Sequence, residues 1–409
     1  MLYYDTIRNA SAFVEASAKY KTMSFAALKR SMHWESAASQ WGTEQLFACR
    51  VICKKPCDVL PLLAPSISSG RGQLENGSSL LNNLVEGPGK SAAALQQMSE
   101  FEIVRAQNND SLGYVWAALA PLLESNATEA SPTATTTTVT SMTAVSGRPA
   151  WEKHPVSHQD YVPSDGFQIS SSPAEGRDSD LASSRCPSLG YMEMPSAPLV
   201  EDYTVRFLNC LIRCVLNYGQ SPDKKGPFVQ YRDERLAHAY RGPGATEVQY
   251  QAIDDGGVQL HVPGPAKKVQ VALLEAKRSF QGITGANATV SDELLAQIVG
   301  EAVAASASVE TKNISQENIV SIVAVRHYIK FFRLHITDEF RRQFESLAPT
   351  DRNLGTDSYL QVDSTHWFDM SESKGRANFV RHLLGLIEWA DAEAGSQGSK
   401  SSEVLMDTD

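Results

Sequence analysis

Val269-Gln270-Val271-Ala272-Leu273-Leu274-Glu275-Ala276-Lys277 is a nearly unbroken apolar run that ends in two charges. Its Val and Leu content, with no Gly or Pro inside it, predicts a strand. Residues two apart on a strand project from one face with roughly 7 Å between α-carbons, so Glu275 and Lys277 are presented side by side. Shortly upstream, Asp254-Asp255-Gly256-Gly257 has the composition of a turn. A carboxylate at the strand end and an aspartate from the preceding strand can ligate magnesium through oxygen. The neighbouring lysine can then orient or help deprotonate a metal-bound water for attack on phosphorus.

Spacing does not select this site, because an acid, any residue and then lysine also occurs at Asp223-Lys225, Glu310-Lys312 and Glu372-Lys374. Context does: only Glu275 follows a β-prone apolar run and has an Asp-Gly-Gly turn close before it. The competing reading is a buried strand that ends in an ordinary surface ion pair.

Working outward, residues 200–218 place Val205, Leu208, Leu211, Ile212, Val215 and Leu216 on one helical stripe, with Gly219 as a stop signal. Residues 228–231, 247–253 and 258–262 read as strands. Ser291 is a good N-cap, followed by Asp292 and Glu293 where the helix dipole favours acids, and predicts a helix to about Ser308. Residues 319–325 and 325–336 are β-prone, a short strand is expected at 359–362, and a helix at 375–390. Beyond Ala392 the polar, acidic residues 393–409 are expected to be a disordered tail.

The chain has 409 residues and a net charge of −10. Residues 126–198 are dominated by Ser, Thr, Pro, Ala and Gly and predict a disordered linker, since they cannot bury enough apolar surface to offset their ordering entropy. Residues 1–125 contain amphipathic stretches at 11–30 and 91–105 and read as a helical accessory region, with partial disorder as the alternative. Residues 199–390 hold 21 Lys and Arg against 23 Asp and Glu, a net of −2 that leaves −8 elsewhere. Such a nearly neutral segment carries no strong electrostatic footprint for nucleic acid. The six cysteines imply no disulfide framework, and Cys49, Cys53, Cys57, Cys210 and Cys214 read as structural thiols. No basic region followed by an apolar core opens the chain, and 114–123, its longest nearly apolar stretch, is too short to span a bilayer. An intracellular protein, cytoplasmic or nuclear, neither secreted nor membrane-bound, is the expectation.

The element order resembles the PD-(D/E)XK nuclease superfamily, its fungal nuclease-like domains above all. The residues that carry the likeness are Asp254-Asp255-Gly256-Gly257, Ala272-Leu273-Leu274-Glu275-Ala276-Lys277-Arg278 and 291–301, together with Ser364-Thr365-His366-Trp367-Phe368-Asp369. It covers residues 199–392. The resemblance implies an α/β fold with a restriction-endonuclease-like core, a mixed sheet of about four strands flanked by helices, and Mg²⁺- or Mn²⁺-dependent hydrolysis of nucleic acid. Carried over by position, Asp255 matches the metal-binding aspartate, with Asp254 a close competitor. Glu275 matches the second metal-binding carboxylate, Lys277 the catalytic lysine and Gln297 a glutamine that supports the site or contacts substrate. Glu201 is the candidate for an extra acid from the first helix.

The chain departs from the pattern in lacking a proline before Asp254 or Asp255, and in having Glu301 where several members have tyrosine. Simpler roles stand beside these: Gln297 and Glu301 as a hydrated helix face, Glu201 as a dipole partner, Asp254 and Asp255 as turn residues. Two functions follow, a metal-dependent nuclease or the same fold serving without cleavage as a binding or interaction module.

Overall fold

Nine strands form one mixed sheet in the computed structural model, which describes residues 2–68, 79–123, 201–242, 247–262, 269–280, 283–284, 287–308, 311–351 and 354–406. The strands used below are β1 (Val51–Cys53), β2 (Phe228–Arg232), β3 (Ala237–Tyr240), β4 (Tyr250–Ile253), β5 (Gly257–His261), β6 (Val269–Lys277), β7 (Lys312–Asn313), β8 (Asn318–Val325), β9 (Tyr328–His335), β10 (Leu360–Ser364) and β11 (Phe368–Asp369). The sheet runs β1-β10-β9-β8-β6-β5-β2, with β7 added to β6 and β11 to β9, while β3 and β4 pair apart from it.

The expectation of about four strands is corrected by this count. β5, β6, β8 and β9 form the middle, and β2 and β10 extend it on either side. The sheet then gains β1, which comes from the N-terminal region and pairs in parallel with β10.

The helices that matter are α1 (Ala10–Tyr20), α2 (Thr43–Ala48), α3 (Asp110–Leu119), α4 (Glu201–Gly219), α5 (Asp292–Ala307) and α6 (Ser373–Met406). Strands β6 and β8 are parallel, from Ala272 opposite Val320 to Lys277 opposite Val325. A parallel pair needs a crossover, and α5 lies on it. Its N-cap is Ser291, whose side chain accepts the Leu294 N–H.

Alternation along β6 sends Leu274 and Ala276 to one face and Leu273 to the other. On the first face they meet Phe207 and Leu211 of α4, Phe379 and Leu383 of α6, and Trp116 of α3. On the second, Leu273 and Val323 meet Leu295 and Val299 of α5 together with Phe13, Phe25, Trp41 and Phe47.

The N-terminal region is thus helical as expected but is built into the core rather than appended to it. Its two anticipated helices are each broken. α1 stops where Lys21 turns left-handed, and the stretch 91–105 restarts at Ser99, which forms a capping box with Glu102. At the other end, α6 continues past Ala392 to Met406, where a disordered tail was expected; 391–394, Asp-Ala-Glu-Ala, has no helix breaker to end it. The linker at 126–198 lies outside the described residues.

One prediction arises here. Phe13, Phe25, Trp41 and Phe47 are each at most 3% exposed. Burying a large apolar side chain is worth about 1.5–3 kcal/mol, so losing four removes roughly 6–12 kcal/mol, comparable with the whole stability of a domain. Residues 199–392 expressed alone are expected to give no cooperative melt by near-UV circular dichroism, while the full chain melts cooperatively.

Candidate active site

The antiparallel pairing of β5 with β6, Gly257 opposite Leu273, continues beyond the end of β5. The Asp255 N–H donates to the Leu274 carbonyl at 2.9 Å and the Leu274 N–H to the Gly256 carbonyl at 3.1 Å. Gly256 makes this path possible at φ 139°, where an added Cβ would also lie 2.9 Å from the Arg232 carbonyl. Asp255 is delivered beside the end of β6, and its Oδ2 accepts the Ala276 N–H at 3.0 Å. Arg235 approaches Oδ1 at 3.4 Å.

Glu275 is fully buried, and Lys277 Nζ lies 2.5 Å from its Oε1. Glu275 Oε2 is buried with no hydrogen-bond partner. The lysine side chain is 13% exposed, so this is not the surface ion pair of the competing reading. The first turn of α4 covers the same end: Thr204 Oγ1 donates to the Lys277 carbonyl at 3.3 Å, and the charge of Glu201 acts on both Asp255 and Lys277.

From α5, Gln297 and Glu301 are both buried, and Gln297 Nε2 donates to Glu301 Oε1 at 3.0 Å. They are not a hydrated helix face. The Glu301 and Glu275 carboxyls lie against each other. A cleft of about 20 Å³ is lined by Lys277, Gln297, Ser279 and Phe280 among others.

Asp254, the competitor of Asp255, is corrected as a metal ligand. Its carboxylate pairs with Arg232 through Nη1 at 3.1 Å and Nη2 at 2.6 Å, meets His238 Nε2 at 3.0 Å, and accepts the N–H groups of Leu236 and Gly256. Every lone-pair direction of a carboxylate is used by such a set. Successive residues point to opposite sides of an extended chain, which is why one aspartate enters this network and its neighbour turns to Glu275.

The electrostatics follow from burial. Desolvation pushes Glu275 up to about 8, Lys277 pulls it down and Asp255 pushes it up again. Desolvation also raises Asp255, against the Ala276 N–H, and raises Glu301 well above the usual carboxylate range, with Glu275 adding to the effect. Burial works to lower Lys277, but Glu275, Glu201 and Asp255 outweigh it and hold the ammonium above its ordinary value.

A buried acid raised in this way contributes stability that is full below its unfolded value of 4.5 and is lost as pH rises through about 8. Across that window the melting temperature of the wild type is expected to fall relative to that of Glu275→Gln, as calorimetry at stepped pH would record. Parallel curves would contradict it.

Burial pushes the Cys49 and Cys53 thiols up to about 12, and raises Cys57, Cys210 and Cys214 as well. Among the described residues, no group of three or more His, Cys, Asp or Glu is placed so that it could hold a metal ion, and no helix is long and apolar enough to cross a membrane. Of the residues anticipated from sequence, Asp255, Glu275, Lys277 and Gln297 are gathered at one end of β6 with Glu201 close by. Glu301 was anticipated as a departure from a pattern and, with Gln297, as a hydrated helix face, not as part of the site; its i, i+4 spacing from Gln297 was the available signal.

No family model matches the chain, and neither a curated protein nor a solved structure matches it.

Proposed function

We propose that this chain is a metal-dependent phosphodiester hydrolase acting on nucleic acid, with a restriction-endonuclease-like core of the PD-(D/E)XK kind. The observation that carries this reading is the meeting of Asp255, Glu275 and Lys277 at adjoining positions of two paired segments. The sequence α4, antiparallel β2, β5 and β6, crossover α5 and parallel β8 supports that core.

The donor set suits Mg²⁺, with Mn²⁺ as substitute: two carboxylates supply hard oxygens, and Glu275 keeps one buried oxygen without a protein partner. A divalent ion held by Asp255 and Glu275 would supply charge neutralisation at phosphorus and a more acidic water. Lys277, kept as an ammonium, would release Glu275, orient the attacking water and stabilise the negative charge that develops on the phosphoryl oxygens. Gln297 would hold the α5 side of the site, and Glu201 would add negative charge at its mouth.

A second reading, an interaction module of the same fold that does not cut, is favoured by one observation. Glu275 is fully buried, and neither it nor Asp255 lines the small cleft that Lys277 and Gln297 border.

The deciding assay incubates the full chain with single- and double-stranded DNA and RNA in Mg²⁺ or Mn²⁺, beside Glu275→Ala. Metal-dependent cutting by the wild type, lost in the variant, is the expected outcome. No cutting of any polymer, or cutting that survives the variant, rejects the hydrolase and leaves the interaction module.

A further inference from the structure

Glu275 and Glu301 together present four carboxyl oxygens inside the fold, and protein groups satisfy two of them. Lys277 takes Glu275 Oε1, and Gln297 takes Glu301 Oε1. The two Oε2 atoms are buried and have no donor. Both residues are 0% exposed, and their carboxyl groups lie against each other across the space between β6 and α5.

Two carboxyl oxygens held together in a dry interior need a proton or a cation between them. The apolar side chains on this face, Leu273, Val323 and Ala302 among them, offer no donor, and the buried hydroxyl of Ser321, opposite Leu273, makes no hydrogen bond to either acid. Among the described residues, Lys277 is the one ion-pair partner for the two acids, so the pair is left with an excess of negative charge when ionised. An uncompensated buried charge is costly, and a hard divalent cation is the partner that carboxylate oxygens take.

We infer that Glu301 is a cation ligand that shares a divalent ion with Glu275 between β6 and α5, Gln297 fixing the outer oxygen of Glu301 so that the other faces the ion. The inference rests on the proposed function for Glu275 as a ligand and adds to it an acid from the crossover helix. A carboxylate on α5 would draw the ion toward the second face of the sheet, and would couple ion uptake to the N-terminal residues packed on that helix.

The test is isothermal titration of the full chain with Mn²⁺, comparing wild type, Glu275→Gln, Glu301→Gln and the double variant. The amides keep the shape and remove the charge. Expected are uptake by the wild type, at least tenfold weaker binding in each single variant, and a double variant no weaker than the worse single one, because the two residues act as a unit. Glu301→Asp, which keeps the charge but shortens the reach, should bind between wild type and Glu301→Gln; it also serves if Glu301→Gln fails to fold.

Wild-type binding in Glu301→Gln with loss in Glu275→Gln overturns this inference and leaves the Asp255 and Glu275 site standing. Wild-type affinity in both Glu301 variants has the same meaning, a proton alone lying between the two carboxyls. No Mn²⁺ uptake by the wild type overturns both.

Discussion

Lys277→Ala is expected to lower metal-dependent cleavage by about 10²–10⁴-fold, the range typical of removing a group that moves or orients a proton in the transition state. Its stability cost should depend on pH, which separates the chemical role from the structural one. In the wild type the ammonium lies 2.5 Å from a fully buried carboxylate. Without it Glu275 binds its proton more tightly still, since Lys277 is the partner that lowers it. Below the usual carboxylate value Glu275 is neutral with or without the lysine, so the variant should melt close to wild type near pH 4. The gap should widen as pH rises through about 8, where the wild type ionises Glu275 against a counter-charge and the variant cannot. A cleavage rate that survives the substitution would remove Lys277 from the chemistry. A melting deficit independent of pH would remove the buried pair from the energetics.

Asp254→Ala is expected to cost about 3–5 kcal/mol of folding stability, the usual result of deleting one partner of a buried ion pair. Arg232 is 3% exposed and His238 is fully buried, so both would face the interior without their carboxylate. The N–H groups of Leu236 and Gly256 would lose their acceptor as well, and the turn that carries Asp255 would loosen. Against a typical domain stability of 5–15 kcal/mol that loss is a third or more, and a urea titration would show it as a lower midpoint. Burial alone would raise Asp254, but His238 and Arg232 outweigh it and hold the carboxyl below its ordinary value. Its contribution is therefore present above the unfolded value of 3.8 and is lost as pH falls through the lower folded one. Asp255→Asn should leave stability nearly intact while removing ion binding. If the two adjacent substitutions had equal effects on stability and on ion uptake, the division of labour between them would be wrong.

Much of the site was legible because its parts are local. The apolar run into Glu275, the Gly256 turn and the Ser291 cap each declare themselves within a few residues, and they fix β6, the arrival of Asp255 and the start of α5. The rest depends on distant partners. β1 is three residues long, too short for any period to register, and its place in the sheet comes from pairing with β10 some three hundred residues later. Asp254 and Asp255 are equivalent in sequence, and the choice between them is made by Arg232 and His238, which composition does not connect to either. Glu301 was read as part of a hydrated helix face because its burial is not written locally: α5 is apolar nearly all round and 294–305 are all buried, so no polar face reveals which side looks at β6. Net charge is silent for another reason, since a segment sum near zero conceals three carboxyls gathered at the end of one strand.

The central claim is that Asp255 and Glu275 create a place for a divalent ion beside Lys277. It is tested most directly by electron paramagnetic resonance of Mn²⁺ mixed with the full chain and with its Asp255→Asn, Glu275→Gln double variant. The account predicts that the free Mn²⁺ signal falls on adding the wild type and is undiminished by the variant. An equal fall with both proteins, or none with either, would contradict it.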